Sequence, residues 1–256
     1  MPVAFVAHGA PTLASDATKG AQLSAWAASM PKPRAILVAS AHWQQSPPCL
    51  GTQRTRELIY DFYGFPEALY RLRYPAPGSP ELAAEVKGLL DEQGMAWSEE
   101  PARGLDHGVW VPLLHMWPDA DVPVLQISQP ATTAAGEFFA LGCALAPLRE
   151  RGVLILGSGN LTHNLRRLDW QGRASPPEWA RAFDDWCRRT LTEFDADALL
   201  AYRTRAPQAG EAHPTDEHFT PLLIAAGAAS THRRSVLFPV EGFEYGSLSR
   251  RCVQFN

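Results

Sequence analysis

Short apolar runs recur along this chain, and each ends in small or polar residues. Val3–Ala7, Ala35–Ser40, Val122–Ser128, Val153–Gly157 and Ser235–Val240 are aliphatic or β-branched and bounded by turn residues. Nearly continuous apolar runs of this length predict parallel strands buried on both faces. Helical patterns fall between them. Ser79-Pro80-Glu81 opens one helix, with Ser79 as N-cap, Pro80 in the first turn and Glu81 near the positive end of the helix dipole. Gly94 closes it. Further helices are expected over Thr133–Glu150 and Pro177–Phe194, the second with a stripe of Trp179, Phe183, Trp186 and Thr190 that reads as core. A last helix is expected to start near Asp216 and to carry Phe219, Leu222, Leu223 and Ala226. The tail Ser247–Phe255 alternates in polarity and predicts a late strand at a sheet edge. Strands alternating with helices predict one α/β layered domain over residues 1–256, with a central, largely parallel sheet flanked by helices.

Histidines follow these runs. His8 comes directly after Val3–Ala7, and His42 comes just after Ala35–Ala41. His163 follows the run from Val153 and the turn Gly157-Ser158-Gly159-Asn160, and His213 and His218 flank Pro214–Glu217 ahead of the last helix. In open α/β sheets the ligand crevice lies outside the carboxyl ends of the strands. Histidines delivered there from several strands can converge, and convergent neutral imidazoles make a metal site. His218 is expected in the first turn of the last helix, pointing into a pocket from a rigid support. His213, held extended by Pro214, is the weaker ligand and reads as a supporting residue or a hydrogen-bonding partner at the helix start. Glu217 is expected to point away. His107 reads either as a loop residue capping the following helix or as a member of the site. His115 reads as core or surface, and His232, beside Arg233-Arg234, as surface.

Composition narrows the function classes. The 256 residues carry 46% apolar and 20% charged residues and a net charge of -4, as an ordinary globular protein does. No long Lys/Arg block is present, so no nucleic-acid partner is expected, and the pairs Arg166-Arg167, Arg188-Arg189 and Arg233-Arg234 read as solvated faces. The apolar stretch Phe138–Ala146 falls far short of the ~20 residues a spanning helix needs, so no membrane role is expected. The N-terminus lacks a basic region and a long apolar stretch, and so does not read as a secretory signal. Cys49, Cys143, Cys187 and Cys252 are widely spaced and read as reduced thiols, which predicts a cytoplasmic protein. Gly157-Ser158-Gly159 lacks the third glycine of a dinucleotide fingerprint, and no Gly-x-Ser-x-Gly elbow exists, so nucleotide binding and serine hydrolysis fit poorly.

Seven blocks occur in order: His8-Gly9-Ala10-Pro11; Ser40-Ala41-His42-Trp43; Tyr60-Asp61-Phe62-Tyr63-Gly64-Phe65-Pro66; Gly104 to Leu113 around His107; Gly157 to Asn160 with His163-Asn164-Leu165; His213-Pro214-Thr215 with Glu217-His218; and Glu241 to Ser247. Together they resemble the class III extradiol ring-cleavage dioxygenases, in the 4,5-DOPA dioxygenase branch. The resemblance implies a mononuclear non-haem Fe(II) site with its metal at the carboxyl ends of the strands. It makes His8, His42 and His218 the metal ligands, His163 the acid–base histidine, with an approach of His163 to the metal left open, and His107 a second active-site histidine near the oxygen position. The acid–base role suits an imidazole pKa near ~6.5. Trp43, Tyr60, Phe62 and Trp110 are candidates to pack the substrate ring, each equally readable as core, and His213 is placed on the substrate side.

The implied reaction opens the ring of an L-DOPA-like catechol with O2 to a semialdehyde. The implied partners are a small-molecule catechol and O2, with the chain a monomer or small homo-oligomer. Three neutral imidazoles leave the site one negative charge short of a two-His-one-carboxylate triad. They also suit Zn(II), so purified protein carrying zinc is expected to be inactive. The alternatives are a zinc-dependent hydrolase on the same scaffold and a non-enzymatic binding protein. The run Gln126–Pro130 is slightly shorter than the family pattern and is expected to alter the substrate pocket.

Overall fold

The computed structural model describes every residue except 52, 55 and 232–234, so His232 and the Arg233-Arg234 pair lie outside the described residues. In chain order the elements are β1 (Val3–Ala7), α1 (Ala17–Ala28), β2 (Ala35–Gln45), β3 (Cys49–Gly51), α2 (Pro80–Glu92), β4 (Ser98–Glu100), α3 (His107–Met116), β5 (Val124–Pro130), α4 (Ala135–Leu145) and β6 (Val153–Gly159). They continue with α5 (Glu178–Glu193), α6 (Ala196–Leu200), α7 (Tyr202–Arg205), α8 (Ala209–Ala212), α9 (Thr220–Ala229), β7 (Val236–Leu237), β8 (Phe243–Glu244), β9 (Leu248–Ser249) and β10 (Val253–Phe255).

One eight-stranded sheet in the order β4-β3-β5-β2-β6-β1-β10-β7 forms the centre. β5, β2, β6 and β1 run parallel, with Val38 opposite Leu156 and Val6 opposite Ser158. Side chains alternate across it, as the period of a strand requires. Phe5, Leu37 and Ile155 face α2, α4, α5 and α9. Ala4, Val38 and Leu156 face α1 and α3. Both faces are thus covered, which is why the parallel strands carry unbroken apolar runs.

The expected strands form with shifted ends. The third runs Val124–Pro130, two residues late, and the last keeps only Val236–Leu237. Ser79 caps α2 by accepting from Leu82 N, and Gly94 follows with φ +65°. The helix expected over Thr133–Glu150 changes to a 3-10 turn at Ala146, where Pro147 cannot continue the α-helical ladder. The last helix begins at Thr220, so His218 stands in the preceding turn. The tail splits: β9 pairs with β8 in a separate ribbon, and β10 lies inside the large sheet between β1 and β7, not at its edge.

Candidate metal centre and ring-binding cavity

Five histidines meet beyond the carboxyl ends of the parallel strands. His8 leaves the end of β1. His42 sits where the β2–β5 register shifts between Ala39 and Gln44, an irregularity that re-aims side chains. His107 is the first residue of α3, His163 follows β6, and His218 precedes α9. Ring centroids of His8 lie 5.0 Å from His42, 5.5 Å from His107 and 5.3 Å from His218. His8, His42 and His218 each offer a ligand nitrogen within 4.8 Å of the others.

The tautomers follow from what stands behind each ring. Ser158 Oγ donates to the Gly108 carbonyl, so its lone pair accepts from His8 Nδ1 at 2.9 Å. Nδ1 of His42 faces Asp61 Oδ2 at 3.3 Å, and Nδ1 of His218 faces Glu217 Oε1 at 3.1 Å. A carboxylate only accepts, so each Nδ1 carries the proton and each Nε2 turns a lone pair inward. Nε2 of His8 and Nε2 of His42 then stand 3.2 Å apart, and the buried Nε2 of His218 has no partner. Facing lone pairs repel, and a cation among them removes the repulsion. The donor set therefore fits a divalent metal.

Burial, followed by the neighbouring histidines, pushes His8 and His218 well below the ordinary imidazole range. His42 is lowered by the same two causes. These imidazoles are neutral at pH 7, as metal ligands must be. Asp61 also accepts from both the backbone N–H of His107, at 3.0 Å, and its Nδ1, at 2.8 Å. Burial alone would raise the Asp61 carboxyl, but the His107 hydrogen bonds and charge outweigh it and hold it at about 2. Negative charge thus stands behind the imidazoles of His42, His107 and His218, and Asp61 with His42 and His107, or Glu217 with His163 and His218, also lie close enough together to share a cation. Glu217 therefore does not point away: the chain from 216 to 219 is a turn, not helix, and its carboxylate reaches the adjacent ring.

The family described as the catalytic LigB subunit of aromatic ring-opening dioxygenase matches residues 3–249. The chain belongs to the LigB family of extradiol ring-opening dioxygenases. A 4,5-DOPA dioxygenase extradiol of Beta vulgaris is 42% identical to it over 244 residues, covering 91% of this chain and 88% of that one. Its counterpart in Escherichia coli K12 is 39% identical, covering 100% of this chain and 95% of that one. The crystal structure of an uncharacterized protein from Escherichia coli K12 matches with a TM-score of 0.84 and 34% identity over the whole of both chains.

The dioxygenase opens a cavity of about 490 Å³ onto the histidine cluster. His8, His42, His107, His163 and His218 line it with Asp61, Glu217, Phe62, Phe65 and Trp170. His163 stacks on His218, and burial lowers it to about 4 against the opposing pull of Glu217. That is below the ~6.5 of a free imidazole, because the cluster removes water from the ring.

Other expected site residues lie elsewhere. Trp43 is buried under the Arg103 guanidinium, 4.3 Å from its ring, and does not line the cavity. Tyr60 donates to the Leu72 carbonyl at 2.6 Å, and Trp110 donates to the Ile59 carbonyl at 3.2 Å. Both back onto Phe62, which alone of the four aromatic candidates faces the cavity. His213 is wholly buried between Phe183 and Phe219, and its Nε2 donates to the Leu161 carbonyl at 2.7 Å. It fixes the chain leading to His163 and does not reach the cavity. Gln126–Pro130 forms buried β5, where Gln129 donates to the Ser40 and Glu217 carbonyls and lines no part of the cavity. Sequence reasoning missed Ser158 and Asp61 as orienting residues, and Phe65 and Trp170 as wall. Asp61 and Phe65 lie in the Tyr60–Pro66 block, but order along the chain carries no side-chain direction.

His115 lies half-buried and donates to the Leu13 carbonyl at 2.8 Å. Cys49, Cys187 and Cys252 are buried free thiols, and Cys143 is half-buried. Among the described residues no helix is long and apolar enough to cross a membrane.

Proposed function

We propose that this chain opens the ring of a catechol, of the L-DOPA type, with O2 to a semialdehyde, and that His8, His42 and His218 hold Fe(II) for the purpose. The observation that carries the reading is the convergence of three Nε2 lone pairs, each turned inward opposite an acceptor that faces its Nδ1. Bound Fe(II) would acidify a catechol hydroxyl and supply the electron transfer that O2 chemistry requires. His163, neutral and at the cavity wall, is the base for the second hydroxyl proton and returns a proton to the product. His107, fixed by Asp61 at both its backbone and ring nitrogens, is placed to hydrogen-bond the oxygen side of the reacting pair. Phe62 and Phe65 offer faces for the ring.

The relatives' names support L-DOPA as the first substrate to try. The chain acts as one catalytic domain over residues 1–256, in the cytoplasm, as a monomer or small homo-oligomer. Three neutral imidazoles also fit Zn(II), which cannot change redox state. The zinc form is therefore expected to bind catechol without opening it, and zinc-dependent hydrolysis is the second reading.

Anaerobic loading with Fe(II), then L-DOPA or unsubstituted catechol in air, tests the proposal by oxygen uptake and yellow product. Uptake in the iron form and none in the zinc form supports it. No uptake at full iron occupancy overturns it and favours the hydrolase.

A further inference from the structure

His163 is held differently from the candidate metal ligands. Ser158, Asp61 and Glu217 stand behind the rings of His8, His42 and His218, but among the described residues no hydrogen bond holds the ring of His163. That ring stacks on His218 and otherwise goes where its backbone sends it. The backbone belongs to the stretch 160–163, which is neither helix nor strand although Asn160, Leu161 and Thr162 are wholly buried. A buried loop must find partners for its polar groups inside the protein.

Thr162 does so through its side chain. Its hydroxyl donates to the Ser247 carbonyl at 2.7 Å and accepts from the backbone N–H of Ser249 at 2.8 Å. Asn160 Nδ2 donates to the Ser249 carbonyl at 3.1 Å. The loop is thereby fastened to β9 by side chains, where a strand would use its backbone. β9 is fastened in turn. Ser249 Oγ donates to Asp184 Oδ1 of α5 at 2.6 Å and accepts from the Arg251 backbone N–H at 3.2 Å. Arg251 closes on Asp184 Oδ2 through Nε at 3.0 Å and Nη2 at 2.6 Å, and the two side chains are only 7% and 6% exposed. Charge-assisted hydrogen bonds of this kind are strong and directional, so they leave Ser249 little freedom. None of Thr162, Ser249, Asp184 and Arg251 lines the cavity. Their contacts end one residue from the ring expected to move protons.

We infer that Thr162 is a positioning residue for His163, holding its ring at the cavity wall through a hydroxyl clamped to β9 and backed by Ser249, Asp184 and Arg251. The catalytic consequence rests on the ring-opening reading above. A general base works only within hydrogen-bond reach of its proton, and a displacement of about 1 Å can cost on the order of 10²-fold in rate.

Thr162→Val tests this, since it keeps the shape and deletes both hydrogen bonds. In the iron form, kcat for L-DOPA or unsubstituted catechol is expected to fall about ten- to hundredfold, with KM and metal affinity within about twofold of the parent. Thr162→Ser, which keeps the hydroxyl, should restore most of kcat. Ser249→Ala leaves the Thr162 bonds to backbone groups in place; it should give a smaller fall in the same direction and serves if Thr162→Val does not fold. In the His163→Ala background Thr162→Val should cost nothing further, because residues that act as one unit are not additive.

A second measurement needs no turnover. The ring protons of His163 feel the ring of His218, 3.4 Å away, and are the histidine NMR signals that His163→Ala removes from the zinc form. Thr162→Val should shift those signals and leave the signals of His8 and His42 in place. An unmoved His163 signal overturns the inference. So does parental kcat in the folded variants, or a further loss when His163 is already alanine. Loss of metal affinity in step with kcat also overturns it, by assigning Thr162 to the turn that carries His218. If the iron-loaded parent opens no catechol, the ring-opening reading falls, and the NMR signals still decide whether Thr162 sets the position of His163.

Discussion

The ring of His163 lies flat on that of His218, with centroids 3.4 Å apart and planes 6° from parallel. The two reach this position by different routes. His163 N–H binds the Ala212 carbonyl, and the His218 carbonyl accepts from Asn160 N–H. In the proposed reaction His218 would offer its nitrogen to the metal, and His163 at the cavity wall would handle protons. Exchanging His163 for alanine should therefore separate the two tasks. His163→Ala is expected to keep iron at the parent stoichiometry and to lose about 10²–10⁴-fold in kcat, the usual worth of a positioned general base. Metal analysis beside oxygen uptake checks this, and near-parental turnover would remove His163 from the proton path.

Glu217 makes a second separation possible. Its carboxylate binds the proton on His218 Nδ1 and so aims Nε2 inward. Loss of such an orienting group commonly costs about 10–100-fold in metal affinity. Glu217→Ala should weaken iron binding by that order, and Glu217→Gln, whose amide oxygen can still accept, should weaken it less. Competition against a chelator of known affinity measures both. Identical affinities in the two variants and the parent would mean that packing alone orients His218.

The histidine cluster was legible because position along the chain is informative at strand ends: a polar residue after a buried apolar run must emerge at the sheet's edge, and His8, His42, His163 and His218 do. Direction around an element was not legible. Trp43, Tyr60 and Trp110 stand in the right blocks, yet Tyr60 and Trp110 stand behind Phe62 and Trp43 is buried under Arg103. His213 differs from His218 by five positions, yet it lies wholly buried against Phe183 and Phe219 while His218 lines the cavity. Glu217 was misplaced by assuming helical geometry where a turn occurs. The strands β3 and β4 are too short to leave a pattern, and β10 could not be placed inside the sheet, since three residues do not announce their neighbours.

His213 also gives the protein an acid-sensitive element away from the candidate metal ligands. Burial, against the pull of its hydrogen bond to the Leu161 carbonyl, lowers its pKa to about 3. The unfolded chain would take up a proton near ~6.5 that the folded chain refuses. Between those values the unfolded state binds more protons, so stability falls as pH drops through that window and is regained as pH rises above it. Between pH 7.5 and 5.5 the loss from this one group is roughly 1.4 kcal/mol. Urea unfolding of metal-free protein at both values should show at least that drop. His213→Gln should flatten it by a similar amount, although it lowers stability at both. A variant as acid-sensitive as the parent would place the sensitivity in the other histidines.

Gly159 bears on the candidate centre without offering it any atom. It ends β6, and a Cβ built there would stand 2.1 Å from the carbonyl oxygen of His218 and 3.3 Å from Phe5 Cε2. The first obstacle is backbone, which cannot swing aside as a side-chain tip can, so a methyl group must push the whole turn carrying His218 away from the strand. Gly159→Ala is expected to destabilise the fold by about 1–3 kcal/mol, the usual cost of overpacking, and to weaken metal binding as the His218 ring leaves its position. Gly88, within α2, supplies the opposite case: a Cβ there meets nothing within 4 Å, and alanine in a helix should stabilise by about 0.5–1 kcal/mol with metal affinity untouched. Thermal unfolding and metal titration of the two variants side by side distinguish a contact at the strand end from a general response to added volume. If Gly159→Ala unfolds later than the parent and binds metal as tightly, the close approach of β6 to the His218 turn does not set the geometry of the centre.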